Sequence, residues 1–321
     1  MIVNILLSVV GFALLIKCAD YFVGGAASFA RNLKIPTVVV GLTIVAFGTS
    51  APELAISFSS HLSGNTDILF GNVIGSSISN IFVILGVAIL IVPFKIEKNV
   101  IKKEIPILLL VTLGLSVLFL DSLFNSSGVN TLTRTDGMIL ILLFFVFIFY
   151  LIAMLLKNRK SVAAGIVEVK PKYKTPMSIV LTILGLVGVI IGSELVVSNL
   201  SAFAASVGIS QKIIAVTIIS IGTSLPELVT TVVAAKKGEN SMAIGNIIGS
   251  NIFNICIVLG LPIVLLGGVS TSAFNIVDIG FMLLAVLLLW IFAATNRMLK
   301  RSEGLFLIAM YVLYAVYIFM Q

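Results

Sequence analysis

Two short stretches concentrate the residues best suited to chemistry: GTSAPE at 48–53 and GTSLPE at 222–227, each in the middle of an apolar run. Proline lacks an N–H, and its ring clashes with the carbonyl four residues back. Pro52 and Pro226 are therefore expected to interrupt a helix and free the carbonyls of Gly48 and Gly222. Thr49 and Glu53 are spaced i, i+4, as are Thr223 and Glu227, so hydroxyl and carboxylate share a helix face if the turn survives the break. A second pair follows each motif, Ser76 with Asn80 and Ser250 with Asn254. It is preceded by the small residues of GNVIG and GNIIG, which let helices approach closely. If these faces converge, they offer carboxylates, hydroxyls, amides and freed carbonyls. Such hard oxygen donors suit calcium and sodium rather than zinc or copper.

These residues need a scaffold, and composition makes it a membrane one. Of 321 residues 60% are hydrophobic and 10% charged, with a mean hydropathy of +1.23, where a soluble domain carries about a quarter charged residues. A crossing helix needs roughly 20 apolar residues. Apolar runs near 2–30, 36–61, 69–93, 105–120, 137–156, 176–204, 209–235, 242–266, 274–296 and 303–320 predict an all-α polytopic membrane protein of ten transmembrane helices. The net charge of +7 does not point to nucleic acid, because the basic residues are scattered among short loops. With the N-terminus outside, seventeen of the twenty lysines and arginines fall in inside loops. Only Arg134 and Lys212 fall outside, while Lys17 lies within snorkelling reach of the inner interface. That bias predicts a multi-pass protein of the plasma or inner membrane with both termini outside. The first apolar stretch lacks a basic leader and a small-residue cleavage site, so it reads as a retained span. Cys18 and Cys256 lie in apolar spans and read as small hydrophobes.

The chain repeats itself. Residues 41–86 align without gaps on 215–260, and nineteen of the 46 positions are identical, among them Gly48, Thr49, Ser50, Pro52, Glu53, Gly71, Asn72, Gly75, Ser76 and Asn80 with their partners 174 residues on. The same offset carries Asp20 onto Glu194, Phe29-Ala30 onto Phe203-Ala204 and Ile35 onto Ile209, so the first span belongs to the repeat. Each half then holds five spans, an odd number, so the second copy enters the membrane from the opposite side. The expected organisation is a first repeat at 1–157, a polar cytoplasmic linker at 158–175 and a second, inverted repeat at 176–321. Inverted repeats built on interrupted helices place their substrate at the repeat interface near the bilayer midplane. Two ionised glutamates there cost at least a few kcal/mol each unless they are paired, protonated or neutralised by a cation. A divalent cation balances both, and sodium ions or protons do so in another state. One site alternately occupied is a physical basis for exchange.

The paired GTSxPE and GNxxGS motifs, with Asn80 and Asn254 four residues after the serines, resemble the α-repeats of the calcium/cation antiporter superfamily, in its sodium/calcium exchanger branch and prokaryotic members. The resemblance extends to all ten spans in number and order. It implies alternating access, with spans one and six sliding against an eight-helix core. By motif it implies that Glu53 and Glu227 ligate calcium with Thr49 and Thr223, while Ser50, Ser224, Ser76, Ser250, Asn80 and Asn254 complete sodium sites. Potassium-dependent members, and some archaeal ones, carry Asp where this chain has Asn254, so the resemblance implies a site of two carboxylates and weighs against potassium co-transport and against any stoichiometry that needs a third negative charge. The expected partners are calcium and sodium ions and the lipid bilayer, with no nucleic acid, no resident cofactor and no obligatory protein partner. A cation/proton antiporter of the same fold is the alternative. A channel fits two inverted copies less well, and a membrane enzyme lacks its usual parts, with no HExxH and with His61 the only histidine.

Other polar residues carry weaker expectations. Asp20 and Glu194 read as entrance carboxylates or as polar anchors, the anchor reading being favoured. Asn72 and Asn246 read as helix-starting caps rather than ligands. His61 reads as a residue of an outside loop, and Lys236 and Lys237 as a solvated inner turn.

Overall fold

The computed structural model describes residues 2–119, 130–162, 170–207 and 220–320. Lys212, Ile209 and the first part of the predicted seventh span lie outside them, as do residues 163–169 of the linker. The chain is nearly all helical. In order come α1 (Ile2–Asn32), α2 (Thr37–Thr49), α3 (Ala51–Leu62), α4 (Thr66–Ile91), α5 (Ile105–Phe119), α6 (Arg134–Val162), α7 (Thr175–Ser206), α8 (Ser220–Thr223), α9 (Leu225–Lys236), α10 (Asn240–Leu266), α11 (Ile276–Asn296) and α12 (Arg301–Met320). Among the described residues seven of these are long and apolar enough to cross a membrane, and the bent pair α2 and α3 makes an eighth.

Outside the helices, short loop segments pair. β1 (Phe94–Lys95) pairs antiparallel with β4 (Met298–Leu299), and β2 (Asn130–Leu132) with β3 (Val269–Thr271). Loop backbone leaving the helices needs partners for its N–H and C=O groups. These two-stranded ladders supply them where distant loops meet.

The long helices α1 and α7 lie antiparallel with their backbones nearly touching. A Cβ on Gly185 would stand 2.5 Å from Phe22 N, one on Gly192 2.7 Å from Leu15 N, and one on Gly25 2.7 Å from Thr182 N. Small residues win in a membrane because lipid is as apolar as any side chain, which leaves close van der Waals contact to drive association. The outward faces of this pair are apolar and exposed, with Leu6, Val9, Ile183 and Leu184 among them, as lipid contact requires.

The core lies behind that pair. α4 and α10 are its most buried long helices, and α10 passes α2 so closely that a Cβ on Gly249 would meet Leu42 O at 2.6 Å. Phe47 of α2 stacks on Phe253 of α10 at 4.7 Å between ring centroids, and Phe144 of α6 closes the cluster. Gly64 and Gly238, one position in the two copies of the repeat, both adopt positive φ, +73° and +76°. They close the tight turns after α3 and α9, where a residue with a Cβ would be strained.

α11 starts where its sequence says a helix should. Asn275 accepts from Val277 N while Asp278 accepts from Asn275 N, a reciprocal cap. Tyr314 Oη donates to the other Asp278 oxygen at 3.1 Å. This buried acid is fully occupied in holding helices together, unlike the pair described next.

Candidate functional site: a buried oxygen cluster at paired helix breaks

The two GTSxPE motifs break their helices in the same way. Ser50 (φ −87°, ψ 9°) and Ser224 (φ −88°, ψ 3°) take nearly one conformation, between α2 and α3 and between α8 and α9. The α2 and α3 axes meet at 44°. Pro52 and Pro226 fall in the first turn of the second segment, where the missing N–H costs nothing because first-turn donors have no helical partner. Glu53 and Glu227 fall in the same first turn, where the helix dipole favours negative charge. The interruption expected from the sequence is therefore present, and it delivers each carboxylate at a helix start. One freed carbonyl is claimed by a neighbour, since Ser193 Oγ of α7 donates to Gly222 O at 3.1 Å.

The second polar pair lies at another irregularity. A π-helical turn begins at Asn80 within α4 and at Asn254 within α10, each running six residues. Such turns widen a helix and often mark functional sites.

The two copies meet. Ser50 Oγ donates to Glu227 Oε1 at 2.9 Å, across 177 residues of sequence. Thr49 faces the same carboxylate, and Glu53 lies close enough to Glu227 for their charges to interact. Glu53, Glu227, Asn80 and Asn254 are each 1% exposed, and Thr49, Ser50 and Ser250 are fully buried. Ser76 and Ser224 are also buried, while Thr223 is half-buried.

Of these motif residues, Oε2 of Glu53, Oε2 of Glu227, Oδ1 of Asn80, Oδ1 of Asn254 and Oγ of Ser250 have no hydrogen-bond partner among the described residues. More than nine in ten buried polar groups are partnered, so five orphan oxygens from both copies in one motif set require an explanation. Among the described residues no three of His, Cys, Asp and Glu come together. The donor set is thus two carboxylates among neutral oxygens, matched to a hard cation and not to a softer transition metal.

Three readings of single residues are corrected. Asn72 and Asn246 are not helix caps, because each is the seventh residue of its helix. Asn72 Nδ2 donates to Glu53 O at 2.8 Å and to Ser57 Oγ at 3.0 Å. Asn246 Nδ2 donates to Thr231 Oγ1 at 2.8 Å and also faces Glu227 O at 3.5 Å. Their exact repetition at one offset was the available signal, because a cap needs no particular partner 19 residues away. His61 lies in the last turn of α3 rather than in a loop. Lys237 is not merely solvated, since its Nζ bonds Asp20 Oδ1 at 2.8 Å and Asp20 O at 2.7 Å. Asp20 thus anchors one helix to another, and Glu194 is exposed on α7.

A buried, oxygen-lined cluster at paired breaks in an apolar helical bundle defines a membrane protein of ion transport. The family profile described as sodium/calcium exchanger protein matches residues 3–153 and 177–320. The chain is 38% identical to the putative antiporter CaxA of Alkalimonas amylolytica, with 99% of each chain covered. It is 33% identical to the sodium/calcium exchanger MaX1 of Methanosarcina acetivorans, again with 99% of each covered. Its structure resembles that of the sodium-calcium exchanger NCX_Mj soaked with sodium and strontium, with a TM-score of 0.83, 32% identity and 98% of each chain covered. The chain belongs to the sodium/calcium exchanger family.

Proposed function

We propose that this protein is a secondary active antiporter that exchanges sodium for calcium by alternating access. The observation that carries this reading is the orphan oxygen set contributed by both copies and joined by the Ser50–Glu227 hydrogen bond. Glu53 and Glu227, with Thr49 and Thr223, would hold calcium. Ser50, Ser224, Ser76, Ser250, Asn80 and Asn254 would complete the sodium sites. Calcium balances both carboxylates at once, and sodium ions balance them when calcium has left, so neither form crosses the membrane with bare buried charge. With Asn254 in place of an acid the site holds two carboxylates, which argues against potassium co-transport.

The scaffold reads as ten spans in inverted halves, 1–157 and 176–321, joined by a cytoplasmic link at 158–175. Two separate family matches at 3–153 and 177–320 support this division. So do the strand pairs: β3 begins 175 residues after β1, each follows the helix bearing the Asn-centred π turn, and the two ladders join corresponding loops of the two halves. The gathering of basic residues in alternate loops supports both termini lying outside in the plasma or inner membrane. Membership of an exchanger family supports reading the protein as a carrier and not an enzyme.

In proteoliposomes loaded with sodium, an outward sodium gradient is expected to drive uptake of radiolabelled calcium, while equal potassium or proton gradients are not. Calcium uptake driven by protons and indifferent to sodium would replace the sodium reading with a proton-coupled one.

A further inference from the structure

Asn72 and Asn246 make corresponding hydrogen bonds in the two copies. Each projects from mid-helix toward the first turn that bears the glutamate. Asn72 Nδ2 reaches the Glu53 carbonyl at 2.8 Å and the Ser57 hydroxyl at 3.0 Å. Asn246 Nδ2 faces the Glu227 carbonyl at 3.5 Å and reaches the Thr231 hydroxyl at 2.8 Å. Ser57 and Thr231 both stand four residues after their glutamate, so each amide spans one turn of the broken helix. Asn246 does more. Its Oδ1 accepts from Thr49 Oγ1 at 3.4 Å, linking a hydroxyl of the first copy to the glutamate turn of the second. Thr49 Oγ1 has acceptors at Ala46 O, 3.3 Å away, at this amide oxygen and at the Glu227 carboxylate, so the amide helps fix where that hydroxyl points.

We propose that Asn72 and Asn246 are positioning residues that fix the glutamate turns, and through Thr49 one hydroxyl, in cation-binding geometry. A turn freed by a helix break has lost part of its own hydrogen-bond ladder, and an amide from the neighbouring span restores its rigidity. This rests on the cation-exchange reading and is tested separately from it. Asn246→Leu keeps the branched skeleton, in a somewhat larger side chain, and removes donor and acceptor. It is expected to raise the KM for calcium by about tenfold or more, while the maximal rate at saturating calcium and the melting temperature in detergent change little. A KM equal to wild type, or KM and rate changing only in step with lost folded protein, overturns the proposal. Should Asn246→Leu fail to insert, Thr231 carries the test. Thr231→Val is expected to raise KM while Thr231→Ser, which keeps the hydroxyl, stays near wild type; equal KM values in both overturn it. Sodium-driven uptake by the unaltered protein tests the underlying reading independently.

A different observation supports a second inference. At the end where the basic loops gather, two ion pairs tie α1 to the turn between α9 and α10. Lys237 holds Asp20 by carboxylate and carbonyl, and Arg31 pairs with Glu239. Asn32 Nδ2 adds a bond to Tyr173 O ahead of α7 at 2.8 Å. The offset of 174 exposes an asymmetry. The counterparts of Lys237 and Glu239 are Ser63 and Asn65, and that of Arg31 is Ala205, so neither charge pair can be reproduced by the equivalent positions at the other end.

The structure assigns these pairs as a one-sided latch that biases the moving helices toward closure at the basic end. Lys237→Gln is expected to lower the apparent KM for calcium at that face and to raise it at the opposite face, by about two- to fivefold, the scale an exposed ion pair commands. Exchanging the charges, Asp20→Lys with Lys237→Asp, is expected to return both values toward wild type. KM values that move in the same direction at both faces, or do not move, overturn the latch.

Discussion

Glu227→Gln is expected to abolish calcium flux while leaving a folded, membrane-inserted protein, and Glu53→Gln to do the same. Glutamine keeps the shape and can still accept the 2.9 Å bond from Ser50 at its carbonyl oxygen, so local packing survives. What is lost is charge. At 4 Å and an effective dielectric near 20, each pair of unit charges is worth about 4 kcal/mol. Losing even one such unit against a cation corresponds to roughly a thousandfold in binding. The neutral oxygens of Ser250, Asn80 and Asn254 cannot replace it, because none of them carries a charge. Radiolabelled calcium flux, normalised to protein recovered after gel filtration, is the measurement. Normal transport by either variant would remove that carboxylate from the site.

Gly249→Ala is expected to damage the protein far more than Gly75→Ala, although both glycines end the same motif in the two copies. A Cβ on Gly249 would stand 2.6 Å from Leu42 O and 2.7 Å from Ala46 Cβ, whereas one on Gly75 meets nothing within 4 Å among the described residues. The neighbours of Gly249 are largely backbone and cannot rotate away. Gly245 and Gly41 make the same contact tight along its length, with a Cβ on Gly41 reaching 2.5 Å from Met242 O. Overpacking typically costs about 1–3 kcal/mol. Here it would also push α2, which ends at Thr49, away from α10, which carries Ser250 and Asn254. The expected result is a lower melting temperature with at least a tenfold loss of flux for Gly249→Ala, and a melting temperature near wild type for Gly75→Ala. Equal effects would show that the helix crossing does not position the site.

The sequence determined a great deal because the decisive constraints are local. Pro52 and Pro226 must disturb any helix that contains them, and the observed breaks fall two residues before each. Long apolar runs must become membrane helices, since no other backbone satisfies itself in lipid. Identical polar residues at one offset in an apolar chain single out Glu53 and Glu227.

Local rules stop where partners are chosen. Periodicity could not distinguish a cap from a clamp, so Asn72 and Asn246 were misread until α4 and α10 were placed beside the broken helices. Nor could it show Lys237 reaching Asp20 across 217 residues. It could not show which GNxxG copy would be packed against backbone, because the two read almost alike. A sequence lists which atoms can bond. Helix crossings fix which of them come within 3 Å, and in this protein that decides which polar groups are consumed by structure and which buried oxygens are left without a partner among the described residues.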